Sequence, residues 1–184
     1  MLARCFTILV VALLTLSCSA PPEKEHQLAL QALLAARTAD TTDYAPEELA
    51  AAETALASYD RAVADRDYRQ ALSRALEARE KANLAPLVAG ERKAQTRVQA
   101  DSLLAECNAV LSSLRTRMTA TGARRPTSAQ LTRLREATLT TPSQIRVAEA
   151  LINQQNYKNA IAALTPILQS LRQDEVATSP RSGR

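Results

Sequence analysis

Few side chains in this sequence have both the type and the neighbours that chemistry requires. The only histidine, His26, comes directly after Pro21-Pro22-Glu23-Lys24-Glu25 with no cysteine or second histidine at ligand spacing, so it reads as a solvated polar residue and not as part of a metal site. No serine or cysteine has a histidine base outside that opening stretch, and no G-x-S-x-G element occurs. Gly90, Gly122 and Gly183 are isolated, which leaves no glycine-rich loop to cradle a phosphate. Asp65 and Asp67 flank a turn. Two carboxylates cleave a glycosidic bond only inside a cleft that raises the pKa of one of them, so this pair reads as capping and solvation. No catalytic residue, metal ligand, cofactor or small-molecule substrate is expected, and the chain is not expected to be an enzyme.

Cys18 is the exception. Arg4 precedes the apolar run Phe6-Thr7-Ile8-Leu9-Val10-Val11-Ala12-Leu13-Leu14, which leads into Thr15-Leu16-Ser17-Cys18. A basic start, a short apolar stretch and a small residue before the cut are the marks of an export signal. The run is too short to span a bilayer, which takes about 20 apolar residues, and Ala20-Pro21-Pro22 separates it from the helical segment beginning near Glu23. Ser17-Cys18 resembles a bacterial lipobox, although Leu16 is large and Thr15 stands where leucine is usual. The resemblance implies that the Cys18 thiol receives diacylglycerol before cleavage, making covalent lipid the only attached group expected. Residues 1–17 are then signal peptide and 18–22 the lipidated cysteine with its tether. Each buried CH₂ of an acyl chain contributes about 0.8 kcal/mol, so two or more chains hold a protein firmly at a membrane. Ser19 in place of aspartate implies, by resemblance to Gram-negative sorting, the inner leaflet of the outer membrane, facing the periplasm. Cys5 leaves with the signal, and Cys107 has no intramolecular partner. It is expected as a small apolar residue in a helix seam.

Composition narrows the architecture. The chain is 46% hydrophobic but 3% aromatic, with no Trp. Once Phe6 is set aside with the signal, the aromatics are Tyr44, Tyr59, Tyr68 and Tyr157. These tyrosines are expected to pack hairpins together and secondarily to meet a partner. Alanine favours helix and adds little bulk, so helices here can approach closely while burying modest area. The formal charge is +4. Arg115, Arg117, Arg124, Arg125, Arg133 and Arg135 cluster in one stretch and could meet anionic lipid or cell-wall polymer, though such runs are commonly a solvated face. Without interleaved aromatics they give no reason to expect nucleic acid.

Periodicity predicts an all-α chain. A first helix is expected from about Glu23 to Ala39, broken by Asp40-Thr41-Thr42-Asp43-Tyr44. Pro46 in the first turn, with Glu47 and Glu48 behind it, starts a second helix. A third comes after the turn Asp65-Arg66-Asp67-Tyr68 and is expected to be interrupted or bent at Pro86 and Gly90. From Val98 the pattern resumes through Leu103, Cys107, Val110, Leu114 and Met118 as a coiled-coil-like seam, ending near Gly122. Thr127-x-x-Gln130 and Thr141-Pro142-x-Gln144 look like two capping boxes for two short helices, to about Thr138 and Gln154. A last helix begins at Asn156-Tyr157 and bends at Pro166, and the tail from Asp174 is polar and expected to be loose. The expected divisions are 23–85, a helical hairpin domain; 86–122, a long coiled-coil-like helix; 123–173, a C-terminal hairpin; and 174–184, a flexible tail.

Asp67-Tyr68-Arg69-Gln70-Ala71-Leu72 echoes Asn156-Tyr157-Lys158-Asn159-Ala160-Ile161. In each, a tyrosine starts a helix and a small alanine permits close approach one turn on. Tetratricopeptide hairpins use that arrangement, but the remainder of their pattern is missing. A second set of residues carries a broader likeness: Asp43-Tyr44-Ala45-Pro46-Glu47-Glu48-Leu49, Ala51-Ala52-Glu53-Thr54-Ala55-Leu56, Asp67-Tyr68-Arg69-Gln70-Ala71 and Ala78-Arg79-Glu80-Lys81-Ala82. In this order, from Leu28 to Leu84, they resemble the envelope proteins of domain of unknown function 4398. The resemblance implies helical structure and a lipoprotein setting, and it transfers no catalytic residue. Some members carry a C-terminal peptidoglycan-binding domain like that of outer membrane protein A. Here the C-terminal half reads as helical, so cell-wall binding does not carry over.

The expected protein is therefore an elongated bundle of Ala-rich helical hairpins with partial coiled-coil and tetratricopeptide-like character. It is held at a membrane by lipid and acts as a scaffold or contact surface for another envelope protein. Two alternatives are an adaptor gripping an extended peptide in a groove within 127–172, lined by Asn153, Gln154, Asn156 and Lys158, and direct peptidoglycan or anionic-lipid contact through the arginines.

Overall fold

The computed structural model describes residues 20–120 and 126–179. The expected signal, Cys18, Gly122, Arg124, Arg125 and Gly183 lie outside the described residues. Among the described residues there are six helices and no strand, with 88% of positions helical, as an all-α chain requires. The helices are α1 (Glu23–Ala36), α2 (Ala39–Tyr44), α3 (Pro46–Ala64), α4 (Tyr68–Met118), α5 (Ser128–Asn153) and α6 (Tyr157–Ala177). They form two compact units that divide between Arg92 and Lys93, within α4. No described helix is long and apolar enough to cross a membrane.

In the first unit α1 buries Ala29, Leu33 and Ala36, the i, i+4, i+7 stripe of an amphipathic helix. It stops at Ala36, earlier than expected, because Thr38 is extended and its Oγ1 accepts the Thr41 N–H at 3.2 Å. The segment expected as a simple break is thus the short helix α2. Pro46 opens α3 as expected, with Glu47 and Glu48 in its first turn. Against these helices α4 presents Ala71, Ala75, Ala78, Ala82, Ala85 and Ala89, none more than 1% exposed. A ridge of methyl groups at alternating spacings of four and three lets helix axes come close. Arg92 locks the junction of α2 and α3: its guanidinium donates to both Glu48 carboxylate oxygens, at 2.9 and 3.1 Å, and to the Tyr44 carbonyl at 3.1 Å.

The second unit is built from α4 beyond Arg92, α5 and α6. Its core joins Cys107, Leu111 and Leu114 to Leu134, Ile145, Leu164, Leu168 and Leu171. The expected seam is shifted at one end, since Val98 is 69% exposed while Ala100 is fully buried. Leu111, absent from the expected seam, belongs to the core and Val110 is only partly buried.

Three prolines sit inside helices that local rules would have ended. Helix α4 continues through Pro86, α5 through Pro142 and α6 through Pro166. Each lacks a donor and crowds the preceding turn, at a cost of about 3 kcal/mol in a helix interior. Pro86 and Pro166 lie on exposed faces, where water can reach the carbonyl each leaves free. At Pro142 the buried stripe Leu134, Ala137, Thr141, Ile145, Ala148 keeps one phase across the proline, so packing on both sides holds the helix in register. The second capping box is therefore not formed, and Thr141 is buried instead. The first is formed in full. Thr127 Oγ1 accepts the Gln130 N–H, and Gln130 Oε1 accepts the Thr127 N–H at 2.9 Å.

The described start of the expected tail, residues 174–179, is also more ordered than expected. Helix α6 continues to Ala177 because Arg117 holds its last turn, donating to the Glu175 carbonyl at 2.6 Å and to Glu175 Oε1 at 2.9 Å.

Candidate functional site

Taken singly, the residues with chemical potential are engaged in structure. Asp67 Oδ1 accepts the Gln70 N–H at 2.9 Å, capping α4. Asp65 is the C-cap of α3 and exposed. No three of the described His, Cys, Asp and Glu residues come together to hold a metal ion. Cys107 is fully buried and its thiol points to the Leu164 carbonyl at 3.8 Å. Burial raises its pKa, the neighbouring Glu106 adds to the rise, and Arg172 opposes it. A thiol so held is a poor nucleophile.

His26 departs from its expected role as a solvated residue. Its ring stacks on Tyr59 with centroids 4.2 Å apart and planes 12° apart. Tyr59 is 3% exposed, and its hydroxyl has no hydrogen-bond partner among the described residues. Burial raises its pKa above 10.0, and the charges of Glu23, Asp60 and Glu25 push the same way. The stack brings together residues 33 positions apart in sequence, which no local pattern announces. It fastens the first turn of α1 onto α3.

The other tyrosines divide. Tyr44 and Tyr157 are 7% exposed and buried against alanines, Tyr44 beside Ala45 and Ala89, Tyr157 beside Ala100 and Ala160. Tyr68 is half-buried. The echo between the two hairpins extends to the backbone. Arg66 and Gln155, each two places before the tyrosine, are left-handed, with φ of 58° and 60°. Around them the same pair of bonds recurs: Arg66 N–H to Val63 O with Asp67 N–H to Ala62 O, and Gln155 N–H to Ile152 O with Asn156 N–H to Leu151 O. Both are Schellman turns.

The described arginines of the cluster, Arg115, Arg117, Arg133 and Arg135, do not share one face. Arg117 is committed to Glu175. Arg133 and Arg135 are exposed on α5 but stand about 200° apart around the helix, so they point away from each other. Arg133 borders a polar groove of ≈ 250 Å³ that also contains Glu136 and Asp174. Arg115 is exposed on α4.

Two further grooves in the second unit run beside α6. One of ≈ 590 Å³ is lined by Leu103, Leu168, Val176 and the stems of Gln169 and Arg172. The other, ≈ 420 Å³, is lined by Val147, Ala163, Pro166 and Ile167. Asn153, Gln154, Asn156 and Lys158 instead surround the exposed turn between α5 and α6.

On the outside of the first unit the usual order of residues is inverted. Leu28, Leu30, Leu34, Leu72, Leu76, Leu84 and Leu87 are 36–71% exposed, while the interior is mostly alanine, with Leu33, Leu49, Leu56, Tyr44 and Tyr59. No curated protein and no solved structure matches the chain. Residues 24–101, which take in α1, α2, α3 and the opening part of α4, match the family model described as Domain of unknown function (DUF4398). Residues 24–101 are thus a segment of the DUF4398 family.

Proposed function

We propose that the protein is a non-catalytic, lipid-anchored cell-envelope protein acting as a helical scaffold or protein-interaction module, seated at the inner leaflet of the outer membrane. The observation that carries the interaction role is the first unit's distribution of leucine, with a mostly alanine core holding three leucines and seven leucines 36–71% exposed outside. Each buried CH₂ is worth about 0.8 kcal/mol, so a chain selected only to fold would turn those leucines inward. Leaving them out is characteristic of a surface that meets another protein. The anchor rests on Ser17-Cys18 and the signal before it, and fixes the unit where such contacts occur.

The test is crosslinking in intact cells, then purification of the native protein and of a Cys18→Ala form. A specific envelope protein recovered with the native form, and reduced with Cys18→Ala, is the expected result. Recovery of no partner overturns the interaction role, and unchanged membrane association of Cys18→Ala overturns the anchor. A second reading, a peptide-holding adaptor, is favoured by the apolar groove of ≈ 590 Å³ beside α6. It predicts that Val176→Gln, an exposed position of that groove, abolishes partner recovery, whereas the leading reading places the contact on the first unit.

A further inference from the structure

The polar groove of ≈ 250 Å³ beside Arg133 lies between α5 and α6. Arg133, Glu136, Ala137, Thr140, Thr141 and Gln144 line it from α5, at the i, i+3, i+4, i+7, i+8, i+11 spacing of one helix face. Ile167, Ser170 and Asp174 line it from α6. Gln130 Nε2 donates to the Ala177 carbonyl at 3.3 Å, and the antiparallel register this sets brings Asp174 level with Arg133. Arg133, Glu136 and Asp174 therefore stand towards the same end of the groove. None of their side chains has an ion pair or hydrogen bond among the described residues, although opposite charges border a common space. Thr141 is a second, independent sign of a ligand. A helical threonine ordinarily bonds its hydroxyl to a carbonyl one turn back, and Thr132, Thr138, Thr140 and Thr165 all do so. Thr141 does not: it is 6% exposed, yet its hydroxyl has no partner among the described residues. Nor is that oxygen sealed in, since the sealed and unbonded side-chain polar atom among the described residues is Tyr59 Oη. The hydroxyl opens onto the groove that Thr141 lines.

We propose that this groove binds a free α-amino acid with a polar side chain. The charges select the ion. A simple anion drawn to Arg133 is repelled by Glu136 and Asp174, and a simple cation drawn to the carboxylates is repelled by Arg133. A ligand with both charges meets both. Its carboxylate takes the parallel N–H pair of the Arg133 guanidinium, and its ammonium lies between Glu136 and Asp174. A free amino acid carries the two ions on one carbon, whereas the main chain of a peptide carries them at opposite ends. The side chain then extends along the groove towards Thr141, Gln144 and Ser170, whose hydroxyl and amide groups have no other partner among the described residues. A buried hydroxyl that lacks a bond in the empty groove favours a ligand group able to bond it. The space is smaller than the roughly 300–1,000 Å³ of pockets for drug-sized molecules, which suits a single amino acid. The site lies wholly within the second unit, so it is independent of the lipid anchor and of any contact made by the first.

Titration calorimetry on the full-length chain in mild detergent at pH 7 tests it, with L-glutamine as the probe. Saturable binding of L-glutamine is expected. Blocking either ion of the probe, as N-acetyl-L-glutamine or as L-glutamine amide, is expected to weaken binding at least tenfold. Arg133→Gln and Asp174→Asn should each do the same. Arg135→Gln, on another side of α5, should leave binding unchanged. Thr141→Val should weaken L-glutamine more than L-leucine. Circular dichroism checks that each variant keeps its helices; the Arg133 and Asp174 changes touch no core side chain, so they answer the question even if Thr141→Val fails to fold. Absence of saturable heat with L-glutamine and with every other polar free amino acid at millimolar concentration overturns the proposal. So does equal binding of the blocked probes, or an equal loss with Arg135→Gln, since either means attraction by bulk charge and not by this groove.

Discussion

At the residue scale, Tyr59 stands out in the first unit for a buried hydroxyl that nothing satisfies among the described residues. Its ring is buried against His26, yet its hydroxyl has no hydrogen-bond partner among the described residues. A buried polar group left without a bond costs about 1–3 kcal/mol. Tyr59→Phe keeps the stack and removes the hydroxyl, so it should stabilise the unit by about 1 kcal/mol, measured as a rise in urea midpoint at constant slope. Tyr59→Ala should instead destabilise it by about 3–5 kcal/mol through the cavity it leaves. The raised pKa gives a second readout. A tyrosine whose folded pKa lies above its unfolded value of 10.0 holds its proton more tightly when folded. Its contribution is complete below pH 10.0 and is lost as pH rises through the folded value. Tyr59→Phe should remove that part of the alkaline loss. Cys107 behaves in the same sense from its own ordinary value of 9.0, raised mainly by burial. Native Cys107 should accordingly react with a thiol reagent far more slowly than the unfolded chain at pH 8, and equal rates would show that it is not enclosed.

At the element scale, the two hairpins turn on the same backbone device with an unsuitable residue at its key position. Arg66 and Gln155 are left-handed, at φ of 58° and 60°, where a side chain costs about 1–2 kcal/mol and glycine does not. Arg66→Gly and Gln155→Gly should each stabilise their unit by up to about 1 kcal/mol, the looser unfolded chain offsetting part of the gain. Loss of stability in both would mean that the side chains make contacts worth more than the strain. These turns also show how far residues alone can be read. The polar runs and the tyrosine after each marked both turns in the sequence, but with no glycine or asparagine at the left-handed site their geometry was not signalled. The start at Thr127 was legible because a capping box is local, its bonds spanning three residues. The one expected at Thr141 was not formed, because the stripe from Leu134 to Ala148 sets the helix by packing that no short motif reports. The length of α6 depended on Arg117 reaching Glu175, 58 residues away, and the seating of His26 on a tyrosine 33 residues away was equally hidden.

At the scale of the whole molecule, the two units are unlike in charge and in core. Residues 18–92 carry nine basic and thirteen acidic side chains, and residues 93–184 carry thirteen and six. The main core of the first unit holds seven alanines and three leucines. That of the second, also ten residues, holds six leucines, an isoleucine, Cys107 and two alanines. A leucine buries roughly three more carbons than an alanine, at about 0.8 kcal/mol each, so the second unit should be much the more stable for its size. Helix α4 contributes to both units, and that makes it a gauge of the difference. Native-state hydrogen exchange reports local opening free energies along a chain. Amides of α4 from Ala71 to Ala89 should exchange faster than those from Leu103 to Leu114, with the change falling near Arg92. The assignment can be checked by substitution. Leu56→Ala should cost about 2–5 kcal/mol and lower protection only up to about residue 92, and Leu164→Ala should act on the remainder. Uniform protection along α4, or a loss that spreads over the whole chain from either substitution, would mean that the two cores open as one. Independent opening fits the inverted pattern of the first unit, whose alanine interior yields little stability by itself and whose exposed leucines would add it on meeting a partner.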